Sequence, residues 1–363
     1  MRIALLNLPL DNNYGGNLQR YALVKVIQGL GHDINHIFLT RYRHLKWYKK
    51  PFAYGKRFFM RYVLRHKDVI IFSELHFNKK PNKVNESVLE FYMKHIPHTI
   101  EVKSLKEIKT VCNQYDCFLV GSDQVWRKKM TTQIGLYSYF FSFIGKQKVK
   151  RIAYGVSMGT EENELSDKDI KRLSKLYKRF NAVSVRELFM LDHFKQYGWQ
   201  NPHAEIVIDP TMLLHVSDYR SLFDSKNVQN NKQTEHKIYC YILDECPSTD
   251  SFIKEMSAKM KKDFQKTSLN KSQSVSIEQW LNNIFYADLV ITDSYHGTVF
   301  SILFNKKFIF IGNNVRGNAR ISSLFSLLGI DNNDTMNLDW NSINHRIENH
   351  RQSSIDFLKK SLS

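Results

Sequence analysis

A carboxylate, a hydroxyl and an imidazole stand within four residues at Asp293, Ser294 and His296, and Gly297 follows them. An imidazole titrates near neutrality and exchanges protons at physiological pH, and a neighbouring carboxylate can orient it. Asp293 and Ser294 equally suit a plain structural task, since both types cap the first turn of a helix. Residues 287–312 around them read as an apolar strand, a polar turn, a helix and a second buried strand. That is one βαβ step of a parallel sheet. The polar group therefore lies outside the carboxyl end of a strand, where ligands bind in open α/β sheets. It also lies at a helix start, whose free N–H groups suit an anion.

Further steps of the same kind precede it. Residues 2–8 and 34–39 read as buried strands. Between them Asn12, Asn13, Gly15 and Gly16 read as a permissive loop, and Asn17 as the cap of a helix through Leu30. The glycines fit either a tight turn or close approach of the backbone to a substrate; the spacing is not a dinucleotide fingerprint. Strands over 115–121, 151–156 and 182–185 end at Ser122 and Asp123, at Ser157, and at Arg186 and Glu187. A strand over 203–208 is closed by Asp209 and Pro210, which read as a terminator. Residues 218–236 are rich in Asn, Gln and Ser and read as a linker. The expected organisation is a domain over 1–217, a second over 237–340, and a tail over 341–363, helical near 354–360.

A chain of 363 residues has room for two such α/β domains. Lys plus Arg number 53 against 35 Asp plus Glu, a formal charge of +18, which implies anionic partners. No apolar run is long enough to span a bilayer, and the first residues lack the features of a cleaved signal. The four cysteines have no CxxC spacing; they read as buried free thiols in a reducing cytoplasm.

Residues 41–67 depart from this composition, with ten Lys or Arg, eight aromatics and no acid. Helical spacing from Gly55 on puts Arg57, Arg61 and Arg65 in one stripe. Phe58, Phe59, Tyr62 and Val63 fall on the opposite side. Such a helix suits a membrane interface, with the stripe on anionic headgroups. It equally describes a helix packed on its own domain with a solvated basic face. No recognised nucleic-acid module surrounds it, so no nucleic-acid partner is expected.

Five stretches in order resemble the polysaccharide pyruvyl transferase family: NNYGGNLQRYAL, DCFLVGSDQVW, SVRE, IDPTMLL and TDSYHGTVFSILFNKKFIFIG, the last followed by GNNVRGNAR. The resemblance covers about residues 1–328. It implies an α/β fold of two Rossmann-like domains facing a cleft, similar to the GT-B glycosyltransferases. It implies transfer of pyruvate from phosphoenolpyruvate to a sugar as a cyclic ketal across two hydroxyls. The setting it implies is a cell-surface polysaccharide pathway, on lipid-linked oligosaccharides at the cytoplasmic face of the membrane.

On that footing Arg186 binds the donor's carboxylate or phosphate through its planar fork. Arg316 and Arg320 serve the phosphate. His296 is the acid/base group, with Asp293 as its orienter. Gly15, Gly16, Asn17, Asp123, Ser157, Ser294 and Gly297 line the substrate site. The account needs no cofactor beyond the donor substrate, and no metal-ligand spacing appears. Some members of the family offer a ring nitrogen where this chain has Ser157, so the second acid/base group is unassigned. Two other readings stay open: a GT-B-like glycosyltransferase using a nucleotide sugar, and a non-catalytic, membrane-associated protein of a glycan pathway.

Overall fold

A computed structural model describes residues 1–42, 45, 47–79, 84–224, 237–268, 274–312, 318–331 and 334–363. Its frame is two parallel sheets. The first has six strands: β1 (Arg2–Leu6), β2 (Asp33–His36), β3 (Cys117–Gly121), β4 (Lys150–Val156), β5 (Ala182–Val185) and β6 (Ala204–Ile206), in the order β2-β1-β3-β4-β5-β6. The second has β7 (Ile238–Tyr241), β8 (Phe264–Thr267), β9 (Leu289–Thr292) and β10 (Phe308–Phe310), in the order β10-β9-β7-β8. The order reverses between β1 and β3 in one sheet and between β7 and β9 in the other. Crevices open at such reversals, at the carboxyl ends of the strands. Central strands such as β3 and β9 are buried on both faces and accordingly apolar but for Thr292 at the end of β9.

One apolar core runs through both halves. It joins Leu5 and Leu119 of the first sheet to Tyr241 and Val290 of the second, with Phe357 and Leu358 of the helix Trp340–Leu362. Separate clusters cover the far face of each sheet. Tyr14 crosses the junction: its hydroxyl donates to the Val275 carbonyl at 2.8 Å and accepts from the Val275 N–H at 3.1 Å. Its ring stacks on Tyr241, with centres 5.8 Å apart.

Three elements differ from their expected form. The first helix is Tyr14–Gly29, capped by Asn13 accepting from the Gly16 N–H at 3.3 Å. Gly15 and Gly16 thus sit in its first turn rather than in a loop, and Asn17 is not the cap. Asn17 instead donates to the carbonyls of Asp11 and Asn13, at 3.0 and 2.9 Å. Residues 218–223 of the expected linker belong instead to the helix Val216–Phe223, in which Tyr219 and Phe223, four apart, are buried; residues 225–236 lie outside the described residues. The tail is helical over all of Trp340–Leu362. It returns to the first sheet, where Arg351 Nε donates to the Met212 carbonyl at 2.9 Å and Ser354 Oγ accepts from the Ile208 N–H at 3.1 Å.

The basic segment also differs. A helix spans Lys50–Tyr62, with Pro51 in its first turn, and pairs with the helix Ser73–Lys79. Arg57 and Arg61, expected to meet a surface, turn inward. Arg57 makes two hydrogen bonds to Glu74, at 2.7 and 2.6 Å, and Arg61 bonds the Val69 carbonyl at 2.8 Å. Among the described residues, no helix is long and apolar enough to cross a membrane.

Candidate active site

Buried charge needs a partner, and the strand ends supply one. Arg186 is the first residue after β5, and Asp209 lies just beyond β6, the adjacent strand. Arg186 Nη1 donates to Asp209 Oδ2 at 2.5 Å, and its Nε to Glu187 Oε1 at 3.2 Å. Gln19, from the first helix, donates to the same Oδ2 at 2.6 Å and to Ser122 Oγ at 2.8 Å. Asp209 Oδ1 accepts from the Thr211 N–H at 3.0 Å and its hydroxyl at 2.7 Å. Burial alone would raise the Asp209 carboxyl. The His296 ring, the Arg186 guanidinium and the Thr211 hydroxyl outweigh it and hold the group well below the usual carboxylate range.

His296 enters from the second sheet. It is the second residue of the helix Tyr295–Leu303, which Ser294 caps by accepting from the Gly297 N–H at 3.3 Å. Its Nε2 lies 3.7 Å from Asp209 Oδ2, within ion-pair but outside hydrogen-bond distance, and has no hydrogen-bond partner. Gly15 backs the ring: a Cβ there would fall 2.0 Å from His296 Cγ and Nδ1. Only glycine lets the two halves approach so closely. Gly297 is required on the other side, where a Cβ would stand 2.4 Å from Thr292 Oγ1.

Arg320, near the start of the helix Ala319–Leu328, completes the group. Its guanidinium lies 5.4 Å from the Tyr295 ring centre, and that of Arg186 lies 4.8 Å from the same ring. Burial, and then the like charge of Arg186, lower the Arg320 pKa. Burial likewise raises the Glu187 carboxyl, against the pull of Arg186 and Arg320. Five buried polar atoms here have no hydrogen-bond partner: Gln19 Oε1, Arg186 Nη2, Glu187 Oε2, His296 Nε2 and Arg320 Nε. Orphaned buried groups are uncommon in folded proteins, and these five share one neighbourhood. A small cavity bounded by Arg186, Asp209, Tyr295, Ile208 and Leu324 adjoins them. Two guanidinium donors beside an imidazole can bind a small anion and exchange a proton with it.

The other expected residues are placed as follows. Asp293 does not orient the ring; it accepts from the N–H groups of Leu243 and Asp244, at 2.7 and 2.9 Å, and so ties the loop after β7 to that after β9. Asp209 is the carboxylate that faces His296. Ser157 lies beside Glu187 and accepts from the Gly159 N–H at 2.9 Å. Asp123 is half-buried at the β1/β3 reversal, with a positive φ of 63°, and its charge supports Arg186 and Arg320. Gly16 stands clear of the cluster; a Cβ there would meet its nearest atom, Arg20 Nη1, at 3.7 Å. Arg316 lies outside the described residues. Sequence reasoning passed over Gln19, Asp209 and Tyr295. The available signal was Arg186 itself, a buried cation that demands a carboxylate at a neighbouring strand end. Among the described residues no cluster of three or more His, Cys, Asp or Glu could hold a metal ion.

The family model for polysaccharide pyruvyl transferase matches residues 13–315. No curated protein matches the chain. Among solved structures, the UDP-GlcNAc 2-epimerase of Neisseria meningitidis bound to UDP-GlcNAc is similar with a TM-score of 0.54 at 10% identity, covering 100% of this chain and 99% of that one. The UDP-GlcNAc 2-epimerase of Methanocaldococcus jannaschii gives 0.54 at 10% identity, covering 96% and 92%. At such identity the likeness is one of fold, the two-sheet α/β architecture of the GT-B type. Because the family match spans most of its length, the chain belongs to the polysaccharide pyruvyl transferase family and is a transferase.

Proposed function

We propose that this enzyme transfers pyruvate from phosphoenolpyruvate to a sugar of a cell-surface polysaccharide precursor, closing a ketal across two hydroxyls. The observation that carries the reading is the pair of arginines, Arg186 buried and Arg320 half-buried, whose buried N–H groups lack hydrogen-bond partners beside His296 Nε2, which also lacks one. Phosphoenolpyruvate brings a carboxylate and a phosphate, so it satisfies both cations at once. The reaction sends one proton to the methylene carbon and takes two from the attacking hydroxyls. Phosphate leaves with the balance. His296 supplies or removes one of these protons. Asp209, 3.7 Å from Nε2, positions the ring, as a carboxylate behind a catalytic imidazole does. The acceptor is a lipid-linked oligosaccharide met at the cytoplasmic face of a membrane. The test is incubation with phosphoenolpyruvate and a panel of lipid-linked oligosaccharides, with phosphate release and the mass of the product recorded. Phosphate released with the mass gain of a ketal is expected. Release of a nucleoside diphosphate from a nucleotide sugar, with phosphoenolpyruvate untouched, would overturn it.

A further inference from the structure

The helix Lys50–Tyr62 has no buried residue. Thirteen residues are too few to hold a stable helix in water without a packed face. Its inner side is occupied: Arg57 and Arg61 bond residues 69–74, and Tyr54 meets Phe72 with ring centres 4.9 Å apart. Its outer side is uncovered. Phe52, Phe58, Phe59, Tyr62 and Val63 are between 51% and 80% exposed, and Trp47 just before them is 80% exposed. Leu64, 53% exposed, follows them in the chain. Single exposed apolar residues need no explanation, but a contiguous set of this size marks an interaction surface.

The surrounding charge selects the occupant. Lys49, Lys50, Lys56, Arg65 and Lys67 are exposed and make no ion pair among the described residues. A second copy of this chain would bring those cations face to face with its own. An apolar face rimmed by free cations matches instead an anionic bilayer, whose interface accepts aromatic side chains while its headgroups meet the lysines.

We propose that the paired helices 47–79 are a docking surface for an anionic lipid bilayer. The aromatic face enters the interface, and the Arg57–Glu74 pair holds that face outward. The inference deepens the membrane-side acceptor proposed above, yet binding of lipid needs neither donor nor acceptor. The probe is vesicles of zwitterionic phospholipid, with and without one quarter anionic phospholipid, assayed by co-sedimentation at low salt. Wild type should bind the anionic vesicles at least ten-fold more tightly than the neutral ones. The triple substitution Phe52→Ser, Phe59→Ser, Tyr62→Ser should weaken that binding at least ten-fold. It should leave the melting temperature unchanged, since all three side chains are exposed. It should also leave phosphate release on a short soluble acceptor unchanged. In the wild-type protein, brominated acyl chains should quench a fluorescence component that Trp47→Phe removes. Absence of vesicle binding, absence of quenching, or binding unaffected by the triple substitution would overturn the proposal. So would a wild-type dimer that the triple substitution converts to monomer, or tighter binding to an oligonucleotide than to vesicles. None of these would touch the pyruvyl transfer reading, which the soluble acceptor tests separately.

Discussion

His296 and Asp209 come from different sheets, so their 3.7 Å approach exists only in the assembled molecule. Replacing His296 by Ala should lower turnover by roughly 100-fold or more, the usual scale for an acid/base group, measured as phosphate release at saturating donor. The glycines separate contact from composition. Gly15→Ala should abolish most activity, because its Cβ would fall 2.0 Å from the ring, whereas Gly16→Ala, with 3.7 Å to its nearest atom, should leave activity intact. Asp209→Asn leaves the buried Arg186 with Glu187 as its one remaining carboxylate, and breaking a buried pair costs about 3–5 kcal/mol. The folded-state carboxyl lies below the ordinary value. Its stabilisation is therefore complete above about pH 4 and is lost as the pH falls toward the folded value. Melting curves should show the variant well below wild type at pH 7 and the gap narrowing below pH 4. Arg186→Lys should weaken donor binding and also lower stability, since one ammonium cannot serve both Asp209 and Glu187. Cysteine chemistry gives an independent check: Cys246 is exposed, and hydrogen bonds from Ser248 and Thr249 lower its thiol to about 7. Burial pushes Cys112, Cys117 and Cys240 up to about 12. Iodoacetamide should label Cys246 first, at a rate half-maximal near pH 7, as peptide mapping can show. Of this site, His296 and Arg186 were legible in the sequence, because each follows an apolar strand. Asp209 was not: an aspartate before proline looks like punctuation, and its partners are distant in the chain.

At the scale of elements, the strands were readable because parallel strands buried on both faces are continuous apolar runs. The helices 216–223 and 340–362 were harder, because their outer faces are polar and only residues four apart, such as Ile343 and Ile347, carry the buried stripe. The paired helices 47–79 show the opposite limit. Helical spacing placed the arginines and aromatics on opposite faces, but which face turns inward depended on Glu74 and the carbonyl of Val69, beyond the segment itself. The helix Trp340–Leu362 buttresses the turn that carries Asp209, through the bond from Arg351 to the Met212 carbonyl. Arg351→Ala leaves that buried carbonyl without its donor. It should cost about 1–3 kcal/mol, read as a lower urea midpoint with an unchanged slope. Activity should fall less than in His296→Ala.

At the scale of the molecule, one apolar core joins both sheets, and the Tyr14–Val275 bonds span their junction. The halves should therefore melt as one unit, with calorimetric and van't Hoff enthalpies in agreement; two resolved transitions would show them to be independent. Composition and strand pattern anticipated two α/β halves, but not how the chain stitches them. It leaves the first sheet after β6, builds the second, and comes back as the helix Trp340–Leu362. That return has a consequence for synthesis. The helix that covers Tyr154, Ile208 and Met212 leaves the ribosome more than a hundred residues after β6. At about 5–20 residues per second, the first sheet waits several seconds with that face bare. During that interval a nascent chain presents chaperones with an apolar surface that the finished enzyme never shows.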